Sequence, residues 1–168
     1  MIKQNIRYIL LFVFSVLVQT LIFDRIYLSN YFTVLIYMLF ILLLPVDTNK
    51  YIVLVYAFFL GLSVDVFNST QGIHASAIVL LAFIRPYVLR FFAPRDDYDD
   101  NKCPSVKNYG LIWFLKYAGS LILIHHFYLF FIEFFSFAHF FQTLLRIFLS
   151  SAISLFFVTL SHFLFVRE

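Results

Sequence analysis

The sequence predicts an all-α membrane protein whose helices form one transmembrane bundle. Of its 168 residues, 63% are hydrophobic and only 12% are charged, and the mean hydropathy is +0.94. Soluble domains contain about 45–50% apolar and about 25% charged residues. Surface-to-volume scaling also prevents a domain of this size from burying so much apolar surface. The composition therefore excludes a soluble enzyme, a disordered chain and a nucleic-acid-binding domain.

Charged and turn-forming residues divide the chain into six predicted transmembrane helices within one domain, residues 1–168. A helix needs about 20 residues to cross a bilayer, so six crossings use about 120 residues and leave short connections. The predicted spans are residues 8–23, 30–44, 51–66, 73–89, 111–135 and 140–166. The one long connection, residues 91–108, contains an acidic run at 96–100. We expect this run to be a solvated loop, with the docking of a cytoplasmic partner as the alternative.

Basic residues set the predicted orientation, because the cytoplasmic loops of membrane proteins are enriched in lysine and arginine. With a cytoplasmic N-terminus, ten of the twelve basic residues lie on or near the cytoplasmic side. These ten are Lys3, Arg7, Lys50, Arg85, Arg90, Arg95, Lys102, Lys107, Lys116 and Arg167. An even number of spans then places the C-terminus on the cytoplasmic side as well.

Polar residues within the predicted spans gather in the outer half of the bundle. Ionisable groups are costly in a bilayer, so each is a candidate for a functional or a paired group. This set comprises Gln19, Asp65, Gln71, His74, His125, His126, Glu133, His139, Gln142 and Arg146. On the sixth span, a stripe on one side of the helix is expected to face protein rather than lipid. The stripe consists of His139, Gln142, Arg146, Ser150 and Ser154.

The roles of these polar groups have alternatives. The guanidinium of Arg146 either pairs with Asp65 or Glu133 at a similar depth, or extends along the helix to the outer headgroups. His125 and His126 are adjacent and point about 100° apart, so they do not easily chelate one metal ion. The sequence contains no H-E-x-x-H and no G-x-S-x-G motif. We therefore expect hydrogen bonding within the bundle, with no cofactor, rather than metal binding or catalysis.

The connection between the third and fourth spans, residues 61–75, has the most specific pattern. Asp65 follows Gly61 by four residues, and Gly72 and Ala75 open the next helix. Gly61 allows two helices to approach closely. Asp65 can accept hydrogen bonds from the turn or cap the following helix. A purely structural role, in which Asp65 only fixes this turn, is the alternative to a functional one. Together with six short spans and a basic N-terminus, the pattern resembles the family of the rod shape-determining protein MreD over most of the chain.

This resemblance implies a non-enzymatic subunit of the bacterial cell-elongation machinery in the inner membrane. It implies binding to the membrane-anchored scaffold MreC and indirect action with MreB, RodA and penicillin-binding protein 2. The implied fold is similar to that of the substrate-binding subunits of energy-coupling-factor transporters. The partner-binding or structural candidates are Gly61, Asp65, Gly72, His74, Gln142 and Arg146. The loop at 91–108 is longer than in many members, so no family role is assigned to it.

A transporter subunit that binds a small ligand in the outer polar cluster is the alternative function. Such a subunit needs a surface that couples to a motor, often a face of small residues on the first helix. Residues 8–23 contain neither alanine nor glycine, which counts against this coupling.

Overall fold

The computed structural model describes residues 2–24, 32–94, 98, 102–134 and 140–165, and these residues form seven α-helices and their connections. The helices are α1 (Ile2–Val18), α2 (Leu39–Leu42), α3 (Lys50–Asn68), α4 (Ile73–Phe91), α5 (Val106–Tyr109), α6 (Leu111–Phe134) and α7 (Phe140–Phe165). A π-helical turn, Gln19–Phe23, continues α1. Several residues of the sequence predictions lie outside the described residues, namely Arg95, Asp96, Asp97, Asp99, Asp100, His139 and Arg167.

Four helices are long and apolar enough to cross a membrane, which agrees with the predicted class of an all-α membrane protein. They are Lys50–Asn68, Ile73–Phe91, Leu111–Glu133 and Phe140–Leu164. The apolar helix Tyr8–Phe23 is shorter. The outward faces of the long helices carry large exposed apolar side chains, such as Ile52, Phe141 and Leu164. These surfaces are compatible with contact to lipid.

The second predicted span does not form a helix of membrane length, so that part of the prediction is wrong. In its described part, residues 32–44, only Leu39–Leu42 is helical. Every side chain from 34 to 44 is at most 4% exposed, which places these residues at the centre of the bundle. A short apolar run has the same composition whether it forms a helix or another buried conformation, so hydropathy does not distinguish the two. We call residues 32–44 the core segment.

The helices run between two ends of the bundle. The side-chain amide of Asn68 donates to the Asp24 carboxylate at 2.8 Å, so α1 and α3 finish at the same end, which we call the Asp65 end. The backbone N–H of Val106 donates to His162 Nε2 at 3.3 Å, so α7 finishes where α6 begins. We call this opposite end the Arg85 end. The described parts of the chain therefore begin and finish at the Arg85 end.

Helices α3 and α4 approach each other closely at Gly61. A Cβ atom built on Gly61 would lie 2.4 Å from Ala75 Cα and 2.7 Å from Ala75 N, far inside van der Waals contact. The turn between the helices uses left-handed backbone at Ser69, with φ 55°, and at Gly72, with φ 82°. The prediction that Gly61 permits close packing is therefore confirmed.

Substituting Gly61 with alanine should destabilise the protein, because the new methyl group meets backbone atoms that cannot move aside independently. We expect a loss of about 1–3 kcal/mol in the free energy of unfolding, typical of overpacking. Gly119→Ala is the matched control, since its Cβ would lie 3.4 Å from the flexible Leu155 side chain. Helix propensity favours alanine over glycine by about 1 kcal/mol, so Gly119→Ala should be neutral or stabilising. Thermal unfolding in detergent measures both, and equal shifts would contradict the prediction.

Candidate functional site

The principal polar cluster of the structure surrounds the core segment, and Gln19 is its first member. Gln19 is fully buried in the π-helical turn that continues α1. Its Oε1 accepts from the N–H of Ile36 at 2.7 Å, and its Nε2 donates to the carbonyl of Val34 at 3.1 Å. The same amide donates to the Asp24 carboxylate at 2.7 Å. The Gln19 side chain thus satisfies one N–H and one carbonyl of the core segment, which would have bonded to backbone groups if this segment had formed a regular helix.

Two serines of α7 bind the core segment from another side. Ser150 Oγ accepts from the N–H of Thr33 at 3.0 Å, and Ser154 Oγ accepts from the N–H of Leu35 at 2.9 Å. Residues four apart on a helix are about 6 Å apart along its axis, and alternate residues of an extended chain are about 6.6 Å apart. The two spacings match, so one helix face can serve successive N–H groups of an extended segment. The prediction that Ser150 and Ser154 face protein is confirmed.

His126 extends this network into α6. Its Nδ1 lies 2.9 Å from the carbonyl of Ile122, and its Nε2 lies 3.3 Å from Ser154 Oγ. A carbonyl only accepts, so Nδ1 carries the proton and Nε2 accepts from the Ser154 hydroxyl. Ser154 therefore accepts from Leu35 and donates to His126. The expectation of hydrogen bonding within the bundle is confirmed for this histidine.

Tyr37 connects the core segment to both α4 and α6. Its hydroxyl lies 2.7 Å from His125 Nε2 and 3.2 Å from His74 Nδ1. Both imidazole rings meet the Tyr37 ring edge to face, with centroid distances of 5.6 Å to His125 and 5.7 Å to His74. A hydroxyl has one proton, so Tyr37 donates to one histidine and accepts from the other. Tyr37 and His125 are fully buried, and no local feature of the sequence indicates their pairing.

Asp65 caps α4, as its position before the helix suggested. One carboxylate oxygen accepts from the Thr70 hydroxyl and from the N–H of His74 at 3.1 Å. The other accepts from the N–H of Ala75 at 2.8 Å. The side chain is 2% exposed. Because the first N–H groups of a helix have no partner within it, this carboxylate replaces the side-chain cap that Gly72, at the N-cap position, lacks.

Arg146 contacts a different part of the bundle. Its guanidinium donates to Thr33 Oγ1 at 3.2 Å and lies over the Phe130 ring, 5.0 Å from the centroid. The Asp65 carboxylate, in contrast, binds the α3–α4 turn. Asp65 is therefore not the partner of Arg146, and the alternative pair of Arg146 with Glu133 stays a prediction. Through Thr33, Arg146 helps to hold the first residues of the core segment.

The six candidate residues thus separate into three groups. Gly61, Asp65, Gly72 and His74 come together in the α3–α4 hairpin, and Arg146 reaches the core segment. Gln142 is exposed, so the prediction that the whole α7 stripe faces protein is wrong at this position. Residues 140–142 are all exposed, although the Phe140 ring lies 6.0 Å from the Phe131 ring of α6.

Arg85 hydrogen-bonds the backbone at the other end of the core segment. This arginine is 2% exposed and donates to the carbonyls of Leu44 and, at 3.3 Å, Pro45. Its Nε donates to Tyr117 Oη at 3.0 Å, and that hydroxyl donates to the carbonyl of Leu42 at 3.1 Å. From the distribution of basic residues, Arg85 is predicted only to lie on or near the cytoplasmic side. Its position inside an apolar span was the available signal that it has a buried partner.

The arrangement can bind backbone, but it does not assemble the parts of a metal centre. Among the described residues, no three or more His, Cys, Asp or Glu side chains are grouped so that they could hold a metal ion. Comparison of the chain with protein-family models, with curated proteins and with solved structures finds no match.

Proposed function

We propose that this chain is a non-enzymatic membrane subunit of the bacterial cell-elongation machinery, of the MreD type, and that it binds the scaffold MreC in the inner membrane. The supporting observation is the α3–α4 hairpin. Gly61 contacts Ala75 so closely that no side chain fits between them, and Asp65 caps α4 across the turn. The residues on which the resemblance rests therefore build one rigid unit, as expected if the pattern specifies structure.

The proposed topology has six crossings with both termini in the cytoplasm, similar to the substrate-binding subunits of energy-coupling-factor transporters. Five crossings would be made by α1, α3, α4, α6 and α7. The core segment would make the remaining one, since it contacts Gln19 near the Asp65 end and Arg85 at the opposite end. Few residues suffice for this, because extended chain advances about 3.3 Å per residue and a helix about 1.5 Å. Non-helical backbone is tolerated at this depth only when protein surrounds it.

The hydrogen-bond partners of the buried polar side chains favour an interaction protein over a ligand-binding transporter subunit. Gln19, Ser150, Ser154 and Arg85 hydrogen-bond the backbone of the core segment. In a ligand-binding subunit, such groups would point into a cavity and bind the ligand. Here their hydrogen bonds stabilise one packing arrangement, which is the requirement for presenting a fixed surface to a partner.

We place the MreC contact on the exposed side of the α3–α4 hairpin. Val66 is 72% exposed and Phe67 is 57% exposed, directly beside the buried Asp65. Ser69 and Gln71 in the turn are also exposed. Action with MreB, RodA and penicillin-binding protein 2 would then be indirect, through the scaffold.

Co-purification with affinity-tagged MreC tests this proposal. We expect the parent chain to be retained, and Phe67→Ala to reduce retention at least several-fold by removing an exposed anchor. Phe91→Ala is the matched control, because Phe91 is 81% exposed in the last turn of α4, at the Arg85 end, and should have no effect. Failure of the parent to bind MreC, or its recovery with ATPase subunits and a bound vitamin, would overturn the proposed function. Equal losses in the two variants would overturn the placement on the hairpin.

A further inference from the structure

Residues 102–106, in the loop before α5, join two distant parts of the chain at the Arg85 end. The carbonyl of Lys102 accepts from the N–H of Val46, two residues after the core segment, at 3.2 Å. The N–H of Val106 donates to His162 Nε2, in the last turn of α7, at 3.3 Å. These five residues therefore connect the end of the core segment to the end of α7, and we call them the latch.

The latch also reaches α1 and is partly buried. The Sγ atom of Cys103 lies 3.6 Å from the hydroxyl of Tyr8. Pro104 and Ser105 are buried, whereas Lys102 is exposed. One side of the latch thus lies against the bundle, but separating it from the bundle would uncover only two buried residues.

We propose that the latch opens and closes as a unit while the helices beneath it stay folded. When it is closed, it holds α1, α7 and the end of the core segment together at the Arg85 end, and when it opens, that connection is released. This conformational device is separate from the hairpin, so it does not depend on binding to MreC.

The two backbone hydrogen bonds between the latch and the bundle are long. Their lengths of 3.2 and 3.3 Å exceed the usual separation of about 2.9–3.0 Å. The Nδ1 atom of His162 is buried and has no hydrogen-bond partner among the described residues. Because a neutral imidazole has one proton, His162 accepts from Val106 only when that proton is on Nδ1, where no acceptor stabilises it. The contact with α7 is therefore easily broken.

The core segment has hydrogen bonds of its own beneath the latch. Arg85 donates to the carbonyls of Leu44 and Pro45. Tyr117 donates to the carbonyl of Leu42 at 3.1 Å. None of these bonds involves a latch residue, so opening of the latch leaves them in place. Proteins open locally where a weakly held segment lies beside a part that keeps its contacts.

Hydrogen exchange of single backbone amides in the full chain, followed by NMR in detergent micelles, tests the proposal. The N–H groups of Val46 and Val106 lose their acceptors when the latch opens, whereas that of Leu43 bonds to Leu39 within the core segment. After correction for intrinsic rates, we expect Val46 and Val106 to exchange at similar rates, at least about 100-fold faster than Leu43. Both should still exchange at least about tenfold more slowly than in an unfolded chain.

His162→Phe tests whether the two ends of the latch open together. Phenylalanine keeps a ring beside Phe114, whose centroid is 4.6 Å from that of the imidazole, but it cannot accept from Val106. Loss of one hydrogen bond of ordinary strength should accelerate the exchange of Val106 and of Val46 by about two- to tenfold. The exchange of Leu43 should not change.

Leu164→Ala is the matched control, because Leu164 is 66% exposed in the same turn of α7, and its exchange should equal that of the parent. Unfolding temperatures of both variants separate opening of the latch from loss of the fold. In the parent, exchange of Val46 and Val106 as slow as that of Leu43, or as fast as in an unfolded chain, would overturn the proposal. An acceleration confined to Val106 in His162→Phe would also overturn it, since the latch would then not open as a unit.

Discussion

Replacement of Gln19 by leucine is expected to lower the free energy of unfolding by about 2–5 kcal/mol. Leucine fits a buried site of similar volume, but it cannot bind the N–H of Ile36 or the carbonyl of Val34, which Gln19 now satisfies. Each buried group left unpaired costs about 1–3 kcal/mol, and water cannot enter a membrane interior to replace the lost partner. The added apolar surface of leucine offsets only part of this cost.

The matched control for that experiment is Gln142→Leu. Gln142 is exposed in the first turn of α7, so its replacement should change stability by no more than about 0.5 kcal/mol. Unfolding in mixed detergent micelles can be followed by circular dichroism and by the fluorescence of Trp113, which is the chain's one tryptophan. Similar unfolding curves for the two variants would show that Gln19 does not hold the core segment.

Asp65→Ala should produce the second large effect, a loss of about 2–4 kcal/mol. The substitution removes the acceptor for the N–H groups of His74 and Ala75 and for the Thr70 hydroxyl. Those N–H groups open α4 and have no partner within the helix. Asp65→Asn keeps one accepting oxygen, so it should lose roughly half as much. The exposed Asp47→Ala should be close to neutral, within about 0.5 kcal/mol.

The same unfolding measurement distinguishes two explanations of Asp65. If the carboxylate serves mainly as a cap, the order of stability is parent, Asp65→Asn, Asp65→Ala. If it instead makes its main contact with a partner protein, the purified variants should unfold with the parent and fail only in complex formation. A stable Asp65→Ala protein would therefore contradict the capping role, whatever its effect on the proposed binding to MreC.

The sequence predicted the parts of this fold that depend on local composition. The apolar lengths of α3, α4, α6 and α7 identified helices that can cross a membrane. The spacing of Gly61 and Asp65 identified a close helix pair with a capped turn. In both cases the determining residues are neighbours in sequence, so a short window contains the necessary information.

The core segment could not be predicted in this way, because its partners are distant in sequence. Nothing within residues 30–44 distinguishes it from an apolar helix. The deciding groups are Gln19, on one side of it, and Ser150 and Ser154, near the other end of the chain. Periodicity correctly placed the two serines on an inward face, but it could not reveal that this face meets extended backbone. For Gln142, periodicity was not enough, because this residue is exposed although it lies on the same stripe of α7 as the two buried serines.

The dependence of the core segment on α7 has a consequence for biosynthesis. The chain is made from its N-terminus, so residues 32–44 leave the ribosome long before Ser150 and Ser154 are joined to it. Until then, the N–H groups of Thr33 and Leu35 lack the acceptors that they have in the finished bundle. Exposure of such groups to hydrocarbon is strongly unfavourable. The segment must therefore remain helical, hydrated or protected by the insertion machinery, and it reaches its final conformation only after the last helix has arrived.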